Sequence, residues 1–455
     1  MSANRTSVHG QWSSRWIFIL AATGSAVGLG NIWRFPYITA EHGGGAFVLI
    51  YLVCIVLVGL PIMMSEILLG RRGRRSPIHT MAALAEEEGH SKHWRLVGVM
   101  GVFAGFFILT FYSIVAGWTL AYMARAVSGV FADASAQQTG AIFNALVSDP
   151  ERLLAWHTIF MIMTVSVVSR GIKQGLEQAV RYLMPALLLL LLLLVGYSMT
   201  TPGFAEALSY LFKPDFSQVG ASTVLIALGQ AFFSLSLGMG AIMTYGSYLS
   251  GSAHIPRTTV SIGIMDTSVA LLAGLAIFPI MFSVGLHPHE GGPGLIFKIL
   301  PIAFGQMAYG NVLAFIFFTL LMFAAWTSSL SILEPVTAWL VEKTGYSRLR
   351  AAISAGVVAW ALGLGSLLSL NLWSEVTLFG MTFFDLMEHL SVNIMLPVGG
   401  LLIAVFAGWF MSRSATSAEL GLGNGAYLAW KVATRFIAPA GVILILLQEL
   451  FGFLG

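Results

Sequence analysis

Charge is what this 455-residue sequence has least of. Asp, Glu, Lys and Arg together make up 9% of it, against roughly 25% in an ordinary soluble domain. So few charges cannot cover a soluble surface of that size. The composition therefore excludes a soluble enzyme, a disordered chain and a nucleic-acid binder, and the formal net charge of +3 is no basic patch. Cysteine is almost absent: Cys54 stands alone, which excludes an intramolecular disulfide, a cysteine zinc cage and CxxC redox chemistry. No HExxH motif occurs. Most of the ten histidines, such as His79, His90, His93, His254, His287 and His289, lie in loops or near the ends of apolar runs. That leaves no constellation for intramembrane metal or acid–base catalysis. In place of charge there is 57% hydrophobic residue content and a mean hydropathy of +0.84. The 49 glycines and 15 prolines are scattered, often inside the apolar runs, as they are in membrane helices.

A bilayer core of about 30 Å takes about 20 apolar residues per helix. Eleven charge-poor stretches of at least about that length recur, at about 13–36, 46–70, 95–125, 153–170, 177–200, 219–250, 257–286, 306–342, 349–371, 376–412 and 432–453. With the N-terminus inside, 18 of the 23 Lys and Arg fall on the cytoplasmic side; Arg125, Arg152, Lys213 and Lys298 fall outside and Arg34 within the membrane. Such an excess marks cytoplasmic loops. The sequence thus predicts one all-α integral membrane domain over 1–455 with about eleven transmembrane helices, its N-terminus cytoplasmic and its C-terminus outside.

Two segments mirror each other across the halves. Ala26-Val27-Gly28-Leu29-Gly30 and Ser236-Leu237-Gly238-Met239-Gly240 each read small–aliphatic–Gly–apolar–Gly, mid-span in the first and sixth stretches. A five-span offset reverses direction in the membrane, so the halves read as inverted repeats, about 13–200 and 219–412, with an extra helix at 432–453. Paired glycine-interrupted spans point to a transporter's central site. Unwound backbone needs partners in a low-dielectric medium, and half-helix ends offer N–H groups to anions and carbonyls to cations. Close helix packing is the other use of such glycines. A channel would want a continuous polar lining, whereas these breaks are single and central.

The segment Gly24-Ser25-Ala26-Val27-Gly28-Leu29-Gly30-Asn31-Ile32-Trp33-Arg34-Phe35-Pro36-Tyr37, with Gly43-Gly44-Gly45-Ala46-Phe47 after it, resembles the first-helix signature of the neurotransmitter:sodium symporter family. Gln230–Tyr245 is similar to its sixth helix and Phe323-Ala324-Ala325-Trp326-Thr327-Ser328-Ser329 to its eighth. The resemblance covers essentially the whole chain and points to the family's bacterial amino-acid transporter branch. It implies a five-plus-five inverted repeat with helices 1 and 6 broken, sodium-coupled symport by alternating access, and residence in a bacterial inner membrane.

Residue by residue, the resemblance implies two sodium sites. The first uses the Ala26 carbonyl, Asn31, Ser234, Asp266 and the substrate carboxylate. The second uses the carbonyls of Gly24, Val27 and Ala324 with the hydroxyls of Thr327 and Ser328. A Thr-Ser-Ser run in an apolar helix more often bonds back to its own carbonyls; only its pairing with the first break favours ligation. Asp266 is the sharpest residue, because an intramembrane carboxylate with no Lys or Arg nearby in sequence is a functional signal by default. Chloride-dependent relatives carry a neutral Asn there. With Ala270 four residues on lacking a hydroxyl, no chloride is expected.

The substrate is expected to carry a carboxylate, received by the backbone at Gly28 and Gly30 and by the hydroxyl of Tyr112, with Ala26, Ser234 and Gly238 also in the substrate site. Its side chain would meet Ile108, Phe233, Ser236, Met239, Ser329 and Ile332. That set is mostly apolar with one deformable Met, which suggests an aliphatic or aromatic L-amino acid. A small polar acid such as glycine, taurine or GABA stays open through Ser236. The resemblance further implies an outer gate of Arg34 and Asp385 above Phe233, and an inner gate of Trp12, Ser247, Tyr248 and Glu342. Relatives usually carry Arg three residues before that Trp; here it is His9, with Arg5 and Arg15 as other partners for Glu342. Glu66 matches a glutamate that hydrogen-bonds the broken helices. Gly175 and Pro185, nine residues apart between them, match a spacing linked to local unwinding of the fifth helix.

Overall fold

The computed structural model describes residue 5 and residues 7–286 and 294–451. His287, His289 and the last two residues of the expected stretch 432–453 lie outside these. Among the described residues the chain is all-helical, with two isolated β-bridges and no strand. The elements are α1 (Arg15–Ala26), α2 (Gly30–Glu41), α3 (Gly45–Gly73), α4 (Pro77–Glu87), α5 (Lys92–Val127), α6 (Ala136–Val147), α7 (Pro150–Val168), α8 (Ile172–Ser198) and α9 (Phe204–Phe212). They continue with α10 (Ala221–Ser234), α11 (Ala241–Ser247), α12 (Ile255–Ser283), α13 (Leu295–Gly305), α14 (Gly310–Thr344), α15 (Arg348–Leu368), α16 (Phe383–Phe410), α17 (Arg413–Leu420) and α18 (Asn424–Phe451).

Nine of these helices are long and apolar enough to cross a membrane, and the pair α1–α2, bent by 53° at its break, makes ten. By length and composition the described helices thus give nine or ten spans rather than the expected eleven. The stretch 219–250, expected as the broken sixth helix, divides into α10 and the short α11, because Leu235–Gly240 leaves helical geometry: Ser236, Gly238 and Gly240 all take positive φ. Gly238 has to be glycine there, since a Cβ would stand 2.2 Å from the Leu396 carbonyl oxygen.

Span starts follow local chemistry. Ser14, Asp149, Ser347 and Thr382 accept backbone N–H groups at the starts of α1, α7, α15 and α16, satisfying donors that a helix start leaves free. α16 begins later than the sequence suggests because Leu378 and Met381 form a tight bridge first. α8 runs unbroken through Pro185, with a π turn over Ile172–Leu176. The Gly175–Pro185 spacing therefore marks no unwound segment here. A Cβ at Gly175 would come 2.1 Å from the Val167 carbonyl, so that glycine serves the close approach of the α7–α8 connection.

The broken helices lie at the centre, α1 against α12, α14 and α8, with α14 running along α5. The two breaks are stitched to each other. The Ser236 hydroxyl donates to the Ser25 carbonyl (2.8 Å), Gln230 Nε2 to the Gly30 carbonyl (3.0 Å) and Asn31 Nδ2 to Ser234 Oγ (3.0 Å).

Candidate functional site

The breaks leave a small cavity of about 20 Å³, room for about one water. Of the expected substrate residues, Ala26, Gly28, Gly30, Ile108, Tyr112, Phe233, Ser236, Met239 and Ile332 line it, together with Ser25, Leu29 and Ser328. Ser234 and Ser329 do not. Ser234 turns to Asp266, and the Ser329 hydroxyl donates to the Trp326 carbonyl (2.8 Å) and pairs with Thr164 Oγ1 of α7 (2.8 Å). Gly238 also lies off the cavity, its N–H donating to Glu66 Oε1 at 2.7 Å. The Tyr112 hydroxyl is buried and makes no hydrogen bond of good geometry among the described residues, with Ser328 and the Leu29 backbone beside it. It faces the backbone at Gly28, where a Cβ would stand 3.0 Å from it and 2.5 Å from Ser328 Oγ. A loosely held donor beside a backbone position with no side chain suits a carboxylate.

Beside the cavity, Asn31, Ser234 and Asp266 converge as expected, and Tyr51 of α3 joins them. Asn31 Nδ2 donates to Asp266 Oδ1 (2.8 Å), Ser234 Oγ donates to Asp266 Oδ2 (2.7 Å), and Tyr51 OH donates to Ser234 Oγ (3.1 Å). Asp266 is fully buried, and no Lys, Arg or His pairs with it among the described residues. A buried carboxylate with oxygen neighbours and no cationic partner fits a hard cation.

The second oxygen cluster lies across α1. Ser328 Oγ stands 3.4, 3.0 and 3.3 Å from the carbonyl oxygens of Gly24, Ser25 and Val27. One hydroxyl has one proton to give, so the three carbonyls leave surplus acceptor capacity, again suited to a cation. Thr327 bonds back to the Phe323 and Ala324 carbonyls, both at 3.1 Å. It also packs on Gly24, where a Cβ would meet Thr327 Cβ at 3.3 Å.

Above the cavity opens a vestibule of about 430 Å³ that shares Leu29, Tyr112 and Phe233 with it. Phe233 is thus the partition. The Arg34 guanidinium lies 4.9 Å from its ring centroid. Arg34 and Asp385 both line the vestibule, but the expected ion pair is not made. Asp385 is held at the start of α16, its Oδ2 accepting from the Thr382 hydroxyl (2.7 Å) and N–H (3.3 Å).

The opposite face is closed. Trp12 is buried, its Nε1 donating to the Tyr245 carbonyl and its backbone N–H to that of Tyr248, both at 3.0 Å. His9 is the residue that meets Glu342, Nε2 to Oε1 at 2.9 Å, while Arg5 pairs with Glu87 and Arg15 bonds Thr258. Glu342 has further partners that the sequence did not disclose: His79 Nδ1 at 2.5 Å and the Ser76 hydroxyl (2.6 Å) and N–H (2.7 Å), all from the start of α4. Tyr248 turns elsewhere, its hydroxyl donating to Glu334 Oε1 (2.6 Å), and Arg348 pairs with the other oxygen of Glu334. The Ser247 hydroxyl caps its own helix on Thr244. Glu334 sits inside an apolar span as Asp266 does, so the same charge-in-span signal could have found it. His79 and Tyr51 carried no such signal.

Because one carboxylate ties the N-terminal segment to the start of α4, Glu342→Gln should loosen this inner face. A bias of about 1 kcal/mol would change a two-state population roughly fivefold. A cytoplasmic-side accessibility probe should label Glu342→Gln more than the wild type; equal labelling would overturn it.

Paired broken helices about buried oxygen clusters, with one face sealed and a vestibule on the other, define a membrane transporter. Known proteins give the class its family. The profile of the sodium:neurotransmitter symporter family matches residues 9–145 and 147–454. The chain is 39% identical to the sodium-dependent transporter YhdH of Bacillus subtilis, over 96% of this chain and 97% of that one. It is 34% identical to a sodium-dependent transporter of Haemophilus influenzae, over 97% and 98%. The crystal structure of MhsT in complex with L-phenylalanine superposes with a TM-score of 0.88 at 42% identity, covering 97% of this chain and 99% of MhsT. The chain belongs to the sodium:neurotransmitter symporter family and is a multi-pass, sodium-dependent membrane transporter, not an enzyme.

Proposed function

We propose that this chain is a sodium-coupled symporter of hydrophobic L-amino acids, aliphatic or aromatic, working by alternating access without chloride. The observation that carries the substrate class is the lining of the central cavity. Ser236 gives its hydroxyl to the Ser25 carbonyl, and Ser329 faces α7. The side-chain part of the site is then Ile108, Phe233, Met239 and Ile332, more apolar than the sequence alone suggested. That argues against glycine, taurine or GABA. The likeness to a phenylalanine-bound transporter points the same way.

In this reading the substrate carboxylate meets the backbone of Gly28 and Gly30, the Tyr112 hydroxyl and the first sodium. That sodium is held by Ala26, Asn31, Ser234 and Asp266, and the second by Gly24, Val27, Ala324, Thr327 and Ser328. Sodium supplies the charge that the buried acceptors lack. Phe233, packed under Arg34, moves aside for the substrate, since about 20 Å³ admits no amino acid; Arg34 and Asp385 then close above it. Residues 13–200 and 219–412 are the inverted repeats and 432–453 the extra helix. The protein lies in a bacterial inner membrane with its N-terminus cytoplasmic and its C-terminus outside. Thermal-shift screening of the twenty amino acids with and without sodium should give stabilisation by Leu, Ile, Val, Phe or Trp only with sodium. Stabilisation by glycine alone would overturn the substrate class. Gly28→Ala should remove the response, because its Cβ would stand 2.5 Å from Ser328 Oγ.

A further inference from the structure

A groove on the outer surface lies away from the transport path, between α7 and α15, with a volume of about 500 Å³. Its floor forms where Gly356 lets α15 approach α7; a Cβ there would stand 2.2 Å from Val165 Cγ2. Its inner end is stopped by Trp360, whose Nε1 donates to Thr158 Oγ1 at 2.9 Å. The walls, Ile162, Leu349, Ile353 and Val357, are apolar and exposed. The other end opens at Arg170, on the face that the charge asymmetry assigns to the cytoplasm.

Arg170 is exposed, and among the described residues its guanidinium makes no ion pair or hydrogen bond. Arg350 is likewise exposed with no side-chain partner, and it stands on the stripe 350, 353, 357, 360 of α15. No carboxylate lines the groove. From Thr158 to Arg170 the chain covers about 18 Å at about 1.5 Å per helical residue. One leaflet of a ~30 Å hydrocarbon core is about 15 Å deep. The groove is therefore one leaflet long, greasy along its length and cationic at the headgroup level.

We propose that the α7–α15 groove binds an anionic glycerophospholipid of the cytoplasmic leaflet, one acyl chain lying along the groove and the phosphate held by Arg170 and Arg350. Charge complementarity selects this occupant, since that leaflet carries the anionic headgroups and basic pockets between helices on that side receive them. The lipid braces a joint that matters to the inner face. α15 begins at Arg348, which pairs with Glu334 and donates from Nε to the Val168 carbonyl at the end of α7 (3.0 Å).

The test uses the full-length protein in detergent, titrated with phosphatidylglycerol or phosphatidylcholine of identical acyl chains and read by native mass spectrometry. The wild type should retain phosphatidylglycerol several-fold better than phosphatidylcholine. Arg170→Gln with Arg350→Gln should erase that preference and leave weak, equal retention of both. Ser166→Trp, which fills the groove, should lower retention of both lipids. Equal retention by the wild type, or a preference that survives the double arginine substitution, would overturn the proposal. A lipid-free dimer lost on Ser166→Trp would assign the groove to a second copy of the chain and overturn it equally.

Discussion

Asp266→Asn is expected to weaken the apparent sodium affinity at least tenfold and to reduce sodium-driven uptake accordingly. The carboxylate is fully buried, held by Asn31, Ser234 and Tyr51, and has no cationic side-chain partner among the described residues. A hydrogen-bonded charge of this kind contributes roughly 1.5–3 kcal/mol to a charged partner, and about 1.4 kcal/mol is tenfold in binding. The substitution keeps shape and removes charge. It should therefore relieve the sodium-free protein of an unpaired buried anion, leaving its melting temperature equal or higher, while the stabilisation added by sodium shrinks. A purely structural aspartate would do the reverse, destabilising the protein with or without sodium. Chloride should restore uptake in part only after Ala270→Ser is added, because the buried Ala270 offers an anion no hydroxyl. Full uptake by Asp266→Asn in chloride-free medium would remove the ligand assignment.

Features set by backbone chemistry are legible in the sequence. Gly28 and Gly238 announce the breaks, and Asp266 announces itself as a charge where none belongs. Asn31, Ser234 and Asp266 meet because both breaks lie at the same depth. Features set by rotation about a helix axis are not legible there. Ser328 and Ser329 are neighbours in sequence, yet about 100° apart around α14. One reaches the α1 carbonyls and the other turns to Thr164. Local satisfaction also competes with distant pairing. Asp385 finds its donors in Thr382, three residues away, and so does not need Arg34. The inner face is half legible. Trp12 and Glu342 stand out against their surroundings, but His79 comes to Glu342 only through the way α4 is laid against α14, a packing that no local pattern in 77–87 records.

Removing the two hydroxyls of the second oxygen cluster should have the other large effect. Thr327→Ala with Ser328→Ala is expected to abolish the sodium dependence of substrate binding. In the proposed assignment two of five ligands disappear together, and the remaining Gly24, Val27 and Ala324 carbonyls cannot close a shell around a hard cation. The structure sharpens the test. Thr327 is satisfied within its own helix through Phe323 and Ala324, so an effect of Thr327→Ala alone could come from lost packing on Gly24. Thr327→Val keeps that packing and removes only the hydroxyl. If Thr327 is a ligand, Thr327→Val should shift the sodium titration as far as Thr327→Ala does. If it is packing, Thr327→Val should titrate as the wild type. Ser328→Ala leaves the Gly24, Ser25 and Val27 carbonyls without the donor they share. It should therefore cost stability in sodium-free buffer, and added sodium should recover little of it. A double variant whose substrate binding still follows sodium as the wild type does would reduce Thr327 and Ser328 to helix packing and leave Asp266 to carry the coupling alone.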